Sequence, residues 1–178
     1  FNDLAGCRND VLAIRSVIVS RYGFTESNID TLLNAAATRQ RILASMESLL
    51  AGSKQGDIAF IFFAGHGSFN RNSLSFEANK TDQTIVPADS WKEGVGDIRD
   101  KELNRIFNRF LDKGIGLTVI FDCCHSGSLS RGPAGMPGNM RFMPGLDWDS
   151  KDPGRDEIPE LRPGNNFLIF SAAQSDQM

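Results

Sequence analysis

The chain has 178 residues, 40% hydrophobic and 23% charged, which suits one compact domain able to build a core without disulfides or a structural metal. Nineteen Lys and Arg against 22 Asp and Glu give a net charge of −3, with the basic residues scattered, which argues against a phosphate-backbone binder and leaves nucleic acid an unexpected partner. No apolar run approaches the ~20 residues of a membrane span, and the stretch Phe1 to Asp10 lacks a basic-then-apolar leader pattern, so the chain reads as soluble with no membrane partner.

In chain order, Val11, Ile14, Val17 and Ile18 recur at helical spacing and predict an amphipathic helix from Asp10 to Arg21, ending near Tyr22-Gly23. Asn28 to Leu33 is read as a short strand. Thr38 is the expected N-cap of a second helix through Leu50, with Ile42, Leu43, Met46, Leu49 and Leu50 on one side and Gly52 just past the end. The run Asp57 to Ala64 predicts a strand buried on both faces, opening onto Gly65-His66-Gly67. A helix from about Asp100 to Leu111 carries Leu103, Ile106, Phe107 and Phe110 as its core stripe. Gly116 to Asp122 repeats the apolar strand signature and opens onto Cys123-Cys124-His125-Ser126-Gly127; Asn166 to Ser171 is a third such run. Six of the seven prolines lie between Pro133 and Pro163, so 128–165 reads as one long irregular loop of the kind that is functional or disordered.

Apolar strands alternating with amphipathic helices imply right-handed crossovers and a mainly parallel sheet covered by helices on both faces. Such sheets bind ligands beyond the C-terminal ends of their strands. His66 and Cys124 both fall just past such ends, 58 residues apart with one helix between. If the two strands are neighbours, an imidazole and a thiol can meet, the arrangement in which the base ionises the thiol and returns the proton to a leaving amine. The adjacent glycines let backbone N–H groups approach a substrate carbonyl. Either residue alone is more simply read as structural; the pairing on sequential strand ends carries the chemistry. Cys7, Cys123 and Cys124 cannot all pair, and two of them are adjacent, where a disulfide is strained, so a reducing, cytoplasmic setting is expected.

Phe-Ala-Gly-His-Gly-Ser (Phe63 to Ser68) and Asp-Cys-Cys-His-Ser-Gly-Ser (Asp122 to Ser128) resemble the histidine and cysteine motifs of metacaspases, orthocaspases and related caspase-like proteins. Leu4 to Asp10, Thr84 to Asp89, Ile98 to Leu103 and Ser171 to Gln177 agree in order and spacing. The cysteine motif departs from the Gln-Ala-Cys signature of animal caspases. The resemblance implies a caspase-like three-layer α/β/α sandwich with a mainly parallel central sheet. It implies Cys124 as nucleophile, His66 as acid and base, and the backbone N–H groups of Gly67 and Cys124 as oxyanion hole, with Cys123 a packing neighbour and His125 a motif residue outside the dyad. It further implies an acidic pocket for Arg or Lys built by Asp10 and Asp122, with Cys7 and Ala64 completing the wall; Ala64 stands where metacaspases commonly carry Ser. Two carboxylates facing a guanidinium dominate such a pocket. The alternative for Asp10 is a cap on the first helix.

Calcium-dependent members of the family hold the ion through acids outside the dyad. Asp82 and Asp100 match two of these, but Lys101 and Arg131 stand where two further acids are expected. Calcium takes six to eight oxygens and gains affinity from ligand charge, so no cofactor is expected and any calcium site is degenerate. Lys101 or Arg131 pairing with Asp82 or Asp100 could do internally what the ion does elsewhere. The long loop carries Arg131, Arg141, Lys151, Arg155 and Arg162, candidate self-processing positions for a peptidase that cuts after basic residues.

The resemblance places 1–178 as a single large-subunit catalytic domain whose first strand and smaller C-terminal part are expected elsewhere. The function expected is a cysteine endopeptidase cleaving after Arg or Lys, acting on protein substrates, with its own small-subunit segment as a partner. The rival reading is a caspase-like scaffold that uses the fold for regulated association. A metal site from Cys7, Cys123, Cys124 and His66 matches no zinc spacing.

Overall fold

The computed structural model describes residues 4, 6–72, 80–123 and 166–171. Helix α1 spans Cys7–Tyr22 and stops where Gly23 turns left-handed (φ 76°), its N–H donating to Ile18 O. Gly6 is its N-cap, so Asp10 does not cap the helix; it lies in the first turn, where a carboxylate faces the positive end of the helix dipole. The strand expected between Asn28 and Leu33 is absent. Ile29 and Leu33 do have extended backbone, but they sit between single 3-10 turns at Glu26–Asn28 and Asn34–Ala36 and join neither described sheet. Their apolar character instead reflects anchoring, with Leu32 packed on the core.

Helix α2, Arg39–Gly52, begins as expected, with Thr38 Oγ1 accepting from Arg41 N–H at 3.3 Å, and takes in Gly52 as its last residue. Helix α3 spans Asp100–Asp112; the Glu102 carboxylate accepts from Arg99 N–H at 3.1 Å, one half of a capping box. Between and after these helices, β1 (Ile58–Ala64), β5 (Gly116–Asp122) and β6 (Phe167–Ser171) form a parallel sheet in the order β1-β5-β6.

Alternation along the strands sorts this sheet into two faces. Ala59, Leu117, Val119 and Phe121 are buried against Ile42, Met46 and Leu50 of α2 and Leu103, Ile106, Phe107 and Phe110 of α3. Phe62, Ile120 and Phe170, level with one another in the register, face Ala13 and Ile14 of α1. The architecture is therefore α/β with helices on both sides of a parallel sheet. Burial on both faces of β1 is not realised: most of its residues are half-buried, because α1 contributes only Ile18 as a fully buried side chain. The edge strand β6 leaves Leu168, Ile169 and Phe170 exposed.

A second, antiparallel sheet was not expected. It orders β2 (Gly67–Arg71), β3 (Thr81–Ile85) and β4 (Ile98–Arg99) as β2-β3-β4. Ser68, Asn70, Asp82, Thr84 and Arg99 are all buried within it.

Candidate active site

The two sequence motifs begin at adjoining strand ends. Ala64 and Asp122 are Cα partners in the β1–β5 register, and Gly65 N–H reaches Asp122 O at 3.4 Å. His66 is the half-buried link between β1 and β2, held by Val86 N–H donating to its carbonyl at 3.0 Å. That bond makes Gly67–Ile85 a non-hydrogen-bonded pair of the β2–β3 ladder, which turns Gly67 N–H away from β3. Gly65 cannot carry a side chain without movement, since a Cβ there would lie 2.7 Å from the Phe63 ring. Cys123 is buried in the main core. Cys124, His125, Arg131 and the range 128–165 lie outside the described residues, as does the segment after Ser171.

Beside these strand ends, a groove of about 390 Å³ opens between α1 and the sheet. It is lined by both predicted pocket acids, Asp10 from α1 and Asp122 from the end of β5, together with Phe62, Ile120 and Phe170. The fold thus brings together two carboxylates that are 112 positions apart in the chain. Cys7 begins α1 three residues before Asp10, and Ala64 sits level with Asp122; neither lines the groove. The aromatic walls, Phe62 and Phe170, were missed in the sequence. The signal that finds them is strand parity, which puts Phe62 two residues before Ala64 and Phe170 in line with Ile120.

A second polar cluster lies on the antiparallel sheet. Asp82 has a side chain only 1% exposed, accepts from Asn72 Nδ2 at 2.9 and 3.1 Å, and pairs with Arg99 at 3.3 Å and Lys101 at 3.8 Å. Lys101 also lies 3.7 Å from Asp100. Arg99 was not singled out by sequence reasoning; its place at the end of a strand, two residues before Lys101, is the signal. Nearby, Thr84 Oγ1 donates to Asp97 at 2.9 Å. Burial pushes the Asp97 carboxyl above its ordinary value, against the opposing pull of the Thr84 hydrogen bond and of the Arg99 and Arg39 charges. Among the described residues no group of three or more His, Cys, Asp and Glu is arranged to hold a metal ion, and no helix is long and apolar enough to cross a membrane.

Residues 1–133 match the metacaspase, peptidase C14 domain. Metacaspase-1 of Schizosaccharomyces pombe is 35% identical over 132 residues, covering 71% of this chain and 31% of that protein. Metacaspase-1 of Plasmodium falciparum is 36% identical over 134 residues, covering 71% and 22%, and metacaspase-9 of Arabidopsis thaliana is 35% identical over 135 residues, covering 72% and 40%. A crystal structure of a Geobacter sulfurreducens protein superposes with a TM-score of 0.59 at 26% identity, over 72% of this chain and 44% of that one. The chain belongs to the metacaspase family. It spans between about a fifth and two fifths of the length of these curated relatives.

Proposed function

We propose that this domain is the catalytic part of a cysteine endopeptidase that cleaves after Arg or Lys. The observation that carries the reading is the convergence of Asp10 and Asp122 in one groove at the strand ends from which both motif loops depart. A guanidinium or ammonium entering the groove meets two carboxylates, and its aliphatic stem lies between Phe62 and Phe170. In this reading the following peptide bond lies toward the chain that continues from β5, where Cys124 follows Cys123 in sequence.

In the proposed reaction His66 takes the Cys124 thiol proton, and the thiolate sulfur attacks the carbonyl carbon of the basic residue. The oxyanion is met by the N–H groups of Gly67 and Cys124; support for Gly67 comes from its N–H being turned away from the β3 ladder. His66 then gives its proton to the departing amine as the carbon–nitrogen bond breaks, leaving a thioester that water hydrolyses. The expected substrates are proteins. Basic residues of the 128–165 loop are proposed self-cleavage positions, and the small-subunit segment of the same protein is the proposed structural partner. A reducing, cytoplasmic setting suits a thiol nucleophile.

The test is covalent labelling with an Arg-directed peptide probe that traps thiolates, followed by peptide hydrolysis. Labelling at Cys124 that is lost in Cys124→Ala, with hydrolysis falling at least about 1,000-fold in Cys124→Ala and His66→Ala, is the expected result. Equal labelling by acidic and basic probes would overturn the specificity. Absence of labelling in the folded full chain would favour the scaffold reading.

A further inference from the structure

The family resemblance implies a calcium ion near Asp82 and Asp100, and the residues present do not fit one. Both Asp82 oxygens accept from the Asn72 amide, and the carboxylate is paired with a guanidinium and an ammonium. Asp100 spends one oxygen on the Lys101 backbone N–H, at 2.7 Å, and lies beside the Lys101 ammonium with the other. Among the described residues of this cluster, the buried side-chain oxygen with no hydrogen-bond partner is Asn70 Oδ1, on the strand register-paired with Asp82. Among the described residues that falls well short of the six to eight oxygens calcium requires.

Charge gives the same answer. Among the described residues of the cluster, Arg99 and Lys101 set two positive charges against the carboxylates of Asp82 and Asp100. Arg99 is only 7% exposed and Lys101 23%, so both cations are held largely within the cluster rather than in water. A calcium ion would bring two more positive charges to a site at which the almost fully enclosed Asp82 is already paired with two cations.

We propose that Arg99 and Lys101 are a resident replacement for a divalent cation, locking β3 to the start of α3 and making the fold of this domain independent of calcium. The elements concerned explain what is locked: Asp82 is on β3, Arg99 ends β4, and Lys101 lies in the first turn of α3. Strand β3 also holds His66, through Val86 just beyond its end. An ion added in a calcium-dependent relative would be one the assembly could lose; a pair supplied by the chain is present from the moment of folding. The proposal goes beyond the peptidase reading and holds whether or not the domain cleaves peptides, because its test measures ion binding.

The test is titration of the full native chain with calcium chloride, read by melting midpoint and by calorimetry, against magnesium chloride at equal ionic strength. Up to about 10 mM, a range that covers weak extracellular-type sites, the native chain is expected to show no calcium-selective rise and no binding heat. In Lys101→Asp the cluster holds three carboxylates and one guanidinium, and calcium is expected to raise its midpoint selectively by about 3 °C when the ion is tenfold above its dissociation constant. If K101D does not fold in the absence of the ion, K101Q is the second variant, with the same direction and a smaller shift. Calcium-selective stabilisation of the native chain would overturn the proposal, as would a folded K101D indifferent to calcium. Hydrolysis of an Arg peptide in calcium and in chelator is a separate readout; loss of all hydrolysis in both would count against the peptidase reading alone.

Discussion

The two faces of the parallel sheet are built from the same three strands and serve different ends. Toward α2 and α3 the side chains are Ala59, Leu117, Val119 and Phe121, all buried and meshed with Phe107 and Phe110. Toward α1 the level residues are Phe62, Ile120 and Phe170, and between them and the helix an open groove remains with an acid from each wall. One face holds the sheet in shape; the other can leave space because its partner does that. The contrast predicts that substitutions on the first face act on stability and those on the second act on recognition.

The largest expected effect tests the packed face. Phe110→Ala removes a fully buried ring from α3 and is expected to cost about 3–5 kcal/mol, read as a shift of the urea unfolding midpoint. A loss under about 1 kcal/mol would erase the distinction between the faces. On the groove face, Asp122→Asn is expected to lower kcat/KM for an Arg peptide by about 100-fold, the loss of a charge-assisted contact, with an unfolding midpoint close to the native one. Asp10→Asn is expected to behave alike. Equal losses on a peptide with a neutral residue before the cleaved bond would mean that the acids do not select charge.

Smaller still is Phe170→Ser. The ring is 52% exposed on an edge strand, so its loss is expected to cost less than about 1 kcal/mol of stability while raising KM for basic peptides. The smallest effect lies away from both faces. Burial raises the Asp97 carboxyl above 3.8, so the native state takes up a proton more readily than the unfolded chain. Stability contributed by this group is therefore fully present below the ordinary value of 3.8 and is lost as pH rises from there through the raised value. Asp97→Asn is expected to flatten that slope, measured as midpoint against pH from about 4 upward.

The elements legible in the sequence are those whose buried face is apolar. The strands at Ile58, Gly116 and Phe167 and the helices at Arg39 and Asp100 carry runs or stripes that hydrophobic periodicity detects. The second sheet escapes the same reasoning because its pattern is inverted: Ser68, Asn70, Asp82 and Thr84 are the buried positions, so alternation places the polar residues inside. Asp82 is satisfied by Asn72, Arg99 and Lys101 and Thr84 by Asp97, partners that no local pattern announces. Asn28 to Leu33 fails in the other direction, apolar enough for a strand yet anchored singly between two 3-10 turns. At the candidate site, the motifs and the family resemblance pointed to His66, Asp10 and Asp122, and the structure puts His66 just past β1 and both acids in one groove. That Asp10 and Asp122 share a groove depends on α1 lying across the sheet, which only the tertiary structure contains.

The register at the strand ends also limits how this domain can change in length. Phe121 and Asp122 are consecutive, one buried with the α2 and α3 core and the other in the acidic groove. A single residue inserted or deleted inside β5 exchanges their sides, driving a carboxylate into the apolar layer and delivering a phenylalanine to the groove. The same holds in β1 for Phe63 and Ala64, one residue ahead of the glycine that touches the Phe63 ring. Substitutions can be absorbed one at a time along these strands, whereas a frame of odd length cannot without exchanging the two faces of β1 and β5.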